Sequence, residues 1–240
     1  MSINRLYHTW MRRISQLRSG ERVTRQQNMA RLIVGIYRSK SVHLSQIALK
    51  IPGKAKNLSI VQRLSRFLKN PAIRVRDWYE PVAKPLVQAM AQTTGEVRLI
   101  ADGTKVGFNH QLLMVAIAFR QRAIPIAWTW VKKARGHSSA HKQLVLLAYV
   151  QGLIPDDVPV LLVGDSEFGA VDVIAQLETW KWWYVLRQKS SHGVKLPGSG
   201  WQAFGDFGRQ AGQSLWLGAG LLTFQHAYPS QLVAHWGKGE

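Results

Sequence analysis

Two apolar runs in this chain each lead to one aspartate and then break off. "EVRLIADGT" (96–104) arrives at Asp102, and "VPVLLVGDSEFG" (158–169) arrives at Asp165. In the second, five of the seven residues before the aspartate are aliphatic. An apolar stretch of that length bounded by Pro159 and Gly164 is expected as a strand buried on both faces, because a half-exposed strand would alternate. Open α/β sheets keep their chemistry at the rim where such strands end. Taken alone, Asp165 is equally a turn residue or the cap of a following helix. The pair is more constraining than either member.

The segments around the pair predict an order of elements. "QLLMVAIAFR" and "AIPIAWTWVKK" are strands joined by Gln121 and Arg122. "SSAHKQLVLLAYVQGL" is a helix capped by Ser138 or Ser139, with Leu144, Leu147, Ala148 and Gln151 along its length. The run to Asp165 is the next strand, "AVDVIAQLETW" a helix, and "WWYVLRQ" a strand ending near Arg187. The order is β-β-β-α-β-α-β, that of an RNase H-like mixed sheet, here incomplete. From His192 to Glu240 the chain is Gly-rich with short β-like runs such as "SLWLGAGLLTFQ", a separate β-meander or insertion.

Charge divides the chain differently. The formal net charge is +19, and residues 1–98 hold 19 Lys+Arg against 4 Asp+Glu. Excess positive charge on that scale points to a polyanionic partner, since released counterions drive phosphate binding. There is no cysteine, which removes thiolate catalysis and cysteine-ligated zinc and suits a reducing compartment. No apolar run approaches the ~18 residues of a membrane span. The Arg-rich start has some presequence character, but the basic composition continues far beyond it.

Within the basic region, "RVTRQQNMARLIVGIYR" is helical, with Met29, Leu32, Ile33 and Ile36 on one side. "VHLSQIALKIPG" is a shorter helix stopped by Pro52-Gly53. "KNLSIVQRLSRFLKNP" places Ile60, Val61, Leu64 and Leu68 on one face and Arg63, Arg66 and Lys69 on the other, with Asn57 as N-cap and Pro71 as terminator. Two short helices around a basic turn match a helix-turn-helix as well as they match an ordinary three-helix unit. "EPVAKP" reads as a Pro-punctuated linker to the strands.

The motifs "LIADGTKVG", "VPVLLVGDSEFG" and "WWYVLRQKS", in that order over residues 97–189, resemble the first half of the catalytic domain of DDE-type insertion-sequence transposases of bacteria. The relevant branch carries its third acid in a Tyr-x2-Arg-x3-Glu-x6-Lys signature. The resemblance implies Asp102 and Asp165 as first and second catalytic acids and as ligands of Mg²⁺ or Mn²⁺. Two-metal phosphodiester chemistry sets such ions about 3.5–4 Å apart between carboxylates. It also implies a β-rich insertion after the second acid and an N-terminal region that binds the element's terminal repeats. The expected organisation is a basic helical DNA-binding region over 1–95, the first part of the core over 96–190 and the insertion over 191–240. Double-stranded DNA is the expected partner, with a homodimer on paired ends, in a bacterial cytoplasm at the nucleoid.

The signature itself departs. Tyr184 and Arg187 have the Tyr-x2-Arg spacing, but the Glu position falls on Ser191 and the Lys position on Gly198. The sequence also stops at "VAHWGKGE", before the resemblance's acid-bearing helix. The expectation is a transposase N-terminal fragment impaired in catalysis. The alternative is a non-catalytic DNA-binding fragment that modulates full-length enzyme, and a third reading is a stand-alone nuclease with another acid. Glu167 and Asp172 are expected in a turn and a helix start, where each has an ordinary structural role. Asp156-Asp157 reads as a solvated turn, and His137 with His141 is not expected to bind zinc. Trp180, Trp182 and Trp183 are expected in the core. Lys132, Lys133 and Arg135 form a basic loop near the presumed rim, either a phosphate contact or a solvated loop.

Overall fold

The computed structural model of the protein describes residues 2–51, 55–132, 138–207 and 211–237. The chain divides into two compact units, Met1–Leu86 and Val87–Glu240.

In the first unit, α1 (Ile3–Leu17), α2 (Val23–Ser39), α3 (Leu44–Ala48) and α4 (Asn57–Leu68) follow in order, and the unit ends within α5 (Val75–Thr94). The apolar spacing of α3 and α4 is realised as a cluster of Ile47, Ala48, Ile60 and Leu64, with Leu32 of α2 against it. Lys56 rather than Asn57 caps α4, and it does so without a side-chain bond. The connection from Leu49 to Lys56 is longer than the three or four residues of a helix-turn-helix turn. "EPVAKP" is not a linker: Pro81 and Pro85 lie inside α5. Each proline forfeits one helical N–H. Ala83, Val87 and Met90 are nevertheless buried at helical spacing, so packing outweighs local preference.

The second unit contains two sheets. Strands β1 (Val97–Val106), β2 (His110–Phe119), β3 (Arg122–Lys132), β4 (Val160–Gly164) and β5 (Trp183–Leu186) form a mixed sheet in the order β3-β2-β1-β4-β5. The first three pair antiparallel, while β4 runs parallel to both β1 and β5. One face is dry: Val97, Leu99, Ala101, Val160 and Leu162 are buried there. The helices α6 (Ala140–Gln151) and α7 (Val171–Thr179) contribute Leu146, Leu147, Val150, Val173, Ile174 and Leu177 to the core. The other face alternates outward, with Val163 and Val185 exposed. The "VLLVG" run is therefore a central strand with one buried face and one open face.

Strands β6 (Gly193–Lys195), β7 (Trp201–Ala203), β8 (Ser214–Leu222) and β9 (Tyr228–His235) form a second, antiparallel sheet in the order β7-β6-β8-β9. The carboxyl of Glu178 in α7 accepts from Tyr184 Oη at 2.7 Å and from Tyr228 Oη at 2.6 Å, which ties β9 to α7 and β5. Of the three clustered tryptophans, Trp182 is buried. Trp183 is 63% exposed on the outward face of β5, so the expectation of a fully buried cluster fails at that residue. The cause is strand alternation at an edge. No helix among the described residues is long and apolar enough to cross a membrane.

Candidate active site and basic cleft

Register brings the two aspartates together. In β1 and β4 the parallel pairing ends at Ala101 opposite Gly164. Asp102 and Asp165 are the next residue on each chain, leaving strands whose backbones lie about 5 Å apart. Both aspartates are exposed at this rim. Asp102 does not terminate its strand, as its apolar run suggested. β1 continues to Val106 because β2 still pairs with it, Asp102 opposite Met114. The departing partner is β4, and that leaves one side of Asp102 open.

Asp102 Oδ2 accepts from Thr104 Oγ1 at 3.4 Å, two residues on and on the same face. Asp165 opens a turn: its Oδ1 accepts from the Glu167 N–H at 3.0 Å, and its carbonyl accepts from the Phe168 N–H at 3.1 Å. Phe168 is fully buried under the sheet. At Gly169 a Cβ would lie 2.8 Å from the Arg187 carbonyl oxygen, so only glycine lets the turn pass the end of β5.

Sequence reasoning placed Glu167 in a turn and missed what it does there. Its side chain is buried, and Oε1 accepts from the Ser138 N–H at 2.7 Å. Oε2 accepts from Gln111 Nε2, and the Glu167 carbonyl accepts from Gln143 Nε2 at 2.8 Å. Gln143 also donates to Ser138 Oγ at 2.9 Å. The available signal was Gln143 itself, a polar residue on the apolar stripe formed by Leu146, Leu147 and Val150.

Lys132 is exposed at the end of β3, opposite His110, at the same end of the sheet as the aspartates. It lies four residues beyond Trp128, which pairs with Met114 and hence aligns with Asp102. Lys133, Arg135 and His137 lie outside the described residues. Asp172 is in the first turn of α7, as a helix dipole favours. Among the described residues, no group of three or more His, Cys, Asp or Glu could hold a metal ion.

In the first unit, Arg22 and Arg25 at the start of α2 and Arg63 and Arg66 of α4 line one cleft, with Asn28 and Asn70 beside them. Buried Ile60, Leu64 and Phe67 turn the opposite side of α4 inward, which aims its arginines outward. Lys69 is exposed at the C-cap of α4 and does not line this cleft. Glu21 accepts from Arg25 at 2.8 Å and from Arg18 at 3.5 Å. Burial alone would raise its carboxyl, but the Arg22 N–H and the two guanidiniums outweigh that and hold it below the ordinary value.

No family model and no curated protein sequence matches the chain. Among solved structures, it is similar to a chain in the crystal structure of the Mos1 strand transfer complex, at 12% identity and a TM-score of 0.28. The likeness covers 65% of this chain and 56% of that one. So distant a likeness adds nothing to what the strand order and register already say.

Proposed function

We propose that this chain is a DNA-binding protein of the DDE transposase kind, whose larger unit carries a metal-dependent site for phosphodiester cleavage and strand transfer. The observation that carries the reading is the register of β1 and β4, which leaves Asp102 and Asp165 side by side at one rim. The strand order, with three antiparallel strands followed by two parallel ones, supports an RNase H-like core over 96–190. The second sheet suits an insertion over 191–240.

Asp102 and Asp165 would hold the metal. Their donor set fits Mg²⁺ or Mn²⁺, which take carboxylate oxygens and keep several waters, and both side chains are open to solvent. When bound, such an ion polarises the phosphodiester and lowers the pKa of the attacking water. The protein's own contribution is to keep two carboxylates fixed, one on β1 and one in the turn that leaves β4, and to leave the face above them open to a DNA strand. Lys132 would meet phosphate along that edge, with Lys133 and Arg135 next in the chain.

The basic cleft supports the DNA partner. Arg22, Arg63 and Arg66 line one cleft beside Arg25, whose charge Glu21 already meets, and Arg is suited to bidentate phosphate contact. Arg63, Arg66 and Lys69 of α4 are the residues proposed to meet the duplex in the region 1–95, with subunits paired on paired DNA ends. A DNA partner in a bacterium would put the protein in the cytoplasm at the nucleoid.

Among the described residues no third acid completes a metal-holding group with the pair, which favours a second reading, in which the chain binds DNA without cutting it and modulates an intact enzyme. One assay separates the two. The 240-residue chain, Asp102→Ala and Asp165→Ala are incubated with a DNA end and Mg²⁺ or Mn²⁺. Cleavage by the unchanged chain that both substitutions abolish supports the enzyme. Binding by all three without cleavage supports the second reading.

A further inference from the structure

We infer that Glu167 is a positioning residue, a buried strut that sets the spacing of the Asp102–Asp165 pair. The inference rests on the reading of that pair as a metal site and deepens it.

Glu167 touches both halves of the rim. Its main-chain N–H donates to Asp165 Oδ1 at 3.0 Å, so the turn carrying Asp165 is built on it. Its carboxyl passes beneath β1: a Cβ on Gly103, the residue after Asp102, would lie 2.5 Å from Glu167 Oε2. The same Cβ would lie 2.8 Å from Gln111 Nε2, the donor to that oxygen. A side chain at 103 would push the Glu167 carboxyl and the Gln111 amide out of these positions. The remaining bonds spread the strut over separate elements, to Gln111 of β2, to Ser138 ahead of α6 and to Gln143 within it.

A solvated turn needs none of this. A buried carboxyl is costly unless its oxygens are bonded, and here three polar side chains are buried with it: Gln111, Ser138 and Gln143. Glu167, Gln111, Ser138 and Gln143, with Gln26 of the first unit, are the five buried polar or charged residues among those described. Among the described residues, the polar residues buried in the second unit are thus gathered around the Glu167 carboxyl, beneath β1 and the Asp165 turn. A group that orients a metal ligand through hydrogen bonds typically changes metal affinity by about 10–100-fold when removed.

The test is the affinity of the full chain for Mn²⁺ alone, read by titration calorimetry, with thermal melts on each variant. Asp102→Ala and Asp165→Ala are expected to lose at least about tenfold in affinity. If they do not, the metal-site reading fails and the strut falls with it. If they do, Glu167→Ala and Gly103→Ala are expected to weaken Mn²⁺ binding about 10–100-fold while still melting cooperatively. Glu167→Gln separates position from charge: its oxygen keeps the Ser138 bond, and Gln111 turns its amide to accept from the new NH₂. It should recover affinity to within about threefold of the unchanged chain, a loss far smaller than removal of an orienting group gives.

Folded Glu167→Ala that binds Mn²⁺ like the unchanged chain overturns the inference. So does Glu167→Gln as weak as Glu167→Ala, since that would make the effect one of charge. Should Glu167→Ala not melt cooperatively, Gln111→Ala carries the same test. A loss of about tenfold supports the strut and an unchanged affinity overturns it.

Discussion

At Gly35, where α2 passes closest to α3, there is no room for a methyl group. A Cβ there would lie 2.5 Å from Ile47 Cγ2 and 3.4 Å from the Ile47 carbonyl oxygen. Alanine is the better helix former by about 1 kcal/mol. Ile47 is fully buried, however, and has nowhere to swing. Overpacking of this kind costs about 1–3 kcal/mol. Gly35→Ala is therefore expected to destabilise the first unit by about 1–2 kcal/mol, seen as a lower urea midpoint at unchanged slope. A raised midpoint would mean that α3 moves aside. Phe168 offers the opposite experiment, since Phe168→Ala opens a cavity beneath the Asp165 turn. The expected loss is about 3–5 kcal/mol in the same measurement.

Between elements, two bonded acidic groups make stability depend on pH in opposite ranges. Glu21 joins the end of α1 to the start of α2, and its carboxyl is held below the ordinary value of 4.5. A group with a depressed folded pKa contributes stability that is present above 4.5 and fades as pH falls through the depressed value. Glu21→Gln should thus lower the melting temperature at neutral pH and converge with the unchanged chain in acid. A constant gap across the titration would contradict that. At the other extreme, the Glu178 hydrogen bond, helped by burial and by the carboxylate charge, pushes the Tyr228 hydroxyl up to about 12. Its contribution is present below 10 and is lost as pH rises through about 12, so Tyr228→Phe should blunt the alkaline fall in stability. Burial, and then its own hydrogen bond to Glu178, raise Tyr184 as well.

Local pattern made some of these elements readable and left others hidden. β4 was legible because an unbroken aliphatic run has few alternatives. α5 was not, because two prolines are strong local stop signals that only buried packing overrides. The pairing of Glu178 with tyrosines 6 and 50 positions away depends on folded contacts that no local pattern encodes.

For the molecule as a whole, charge is the lever. If the basic region makes about six phosphate contacts, DNA affinity should fall on the order of 10³-fold between 50 and 200 mM salt. Anisotropy titrations at several salt concentrations would read this directly, and a flat response would exclude an electrostatic DNA partner. Arg63→Ala with Arg66→Ala should weaken binding far more than Lys195→Ala. Equal effects would remove the cleft from the interface.

What the sequence determined by itself was the inventory: two aspartates at the ends of apolar runs, the order of strands and helices around them, and an imbalance of charge toward the first 98 residues. Those properties are local or additive, so composition and periodicity suffice to read them. Tertiary structure decided the rest. That Asp102 sits beside Asp165 is a consequence of parallel register, a pairing between residues 63 positions apart that a shift of one residue would turn to the other face. That Glu167 lies under Gly103 depends on a turn, a strand and a helix meeting at one point. Each of those residues, read alone, has an ordinary explanation, and only their meeting gives them a common one.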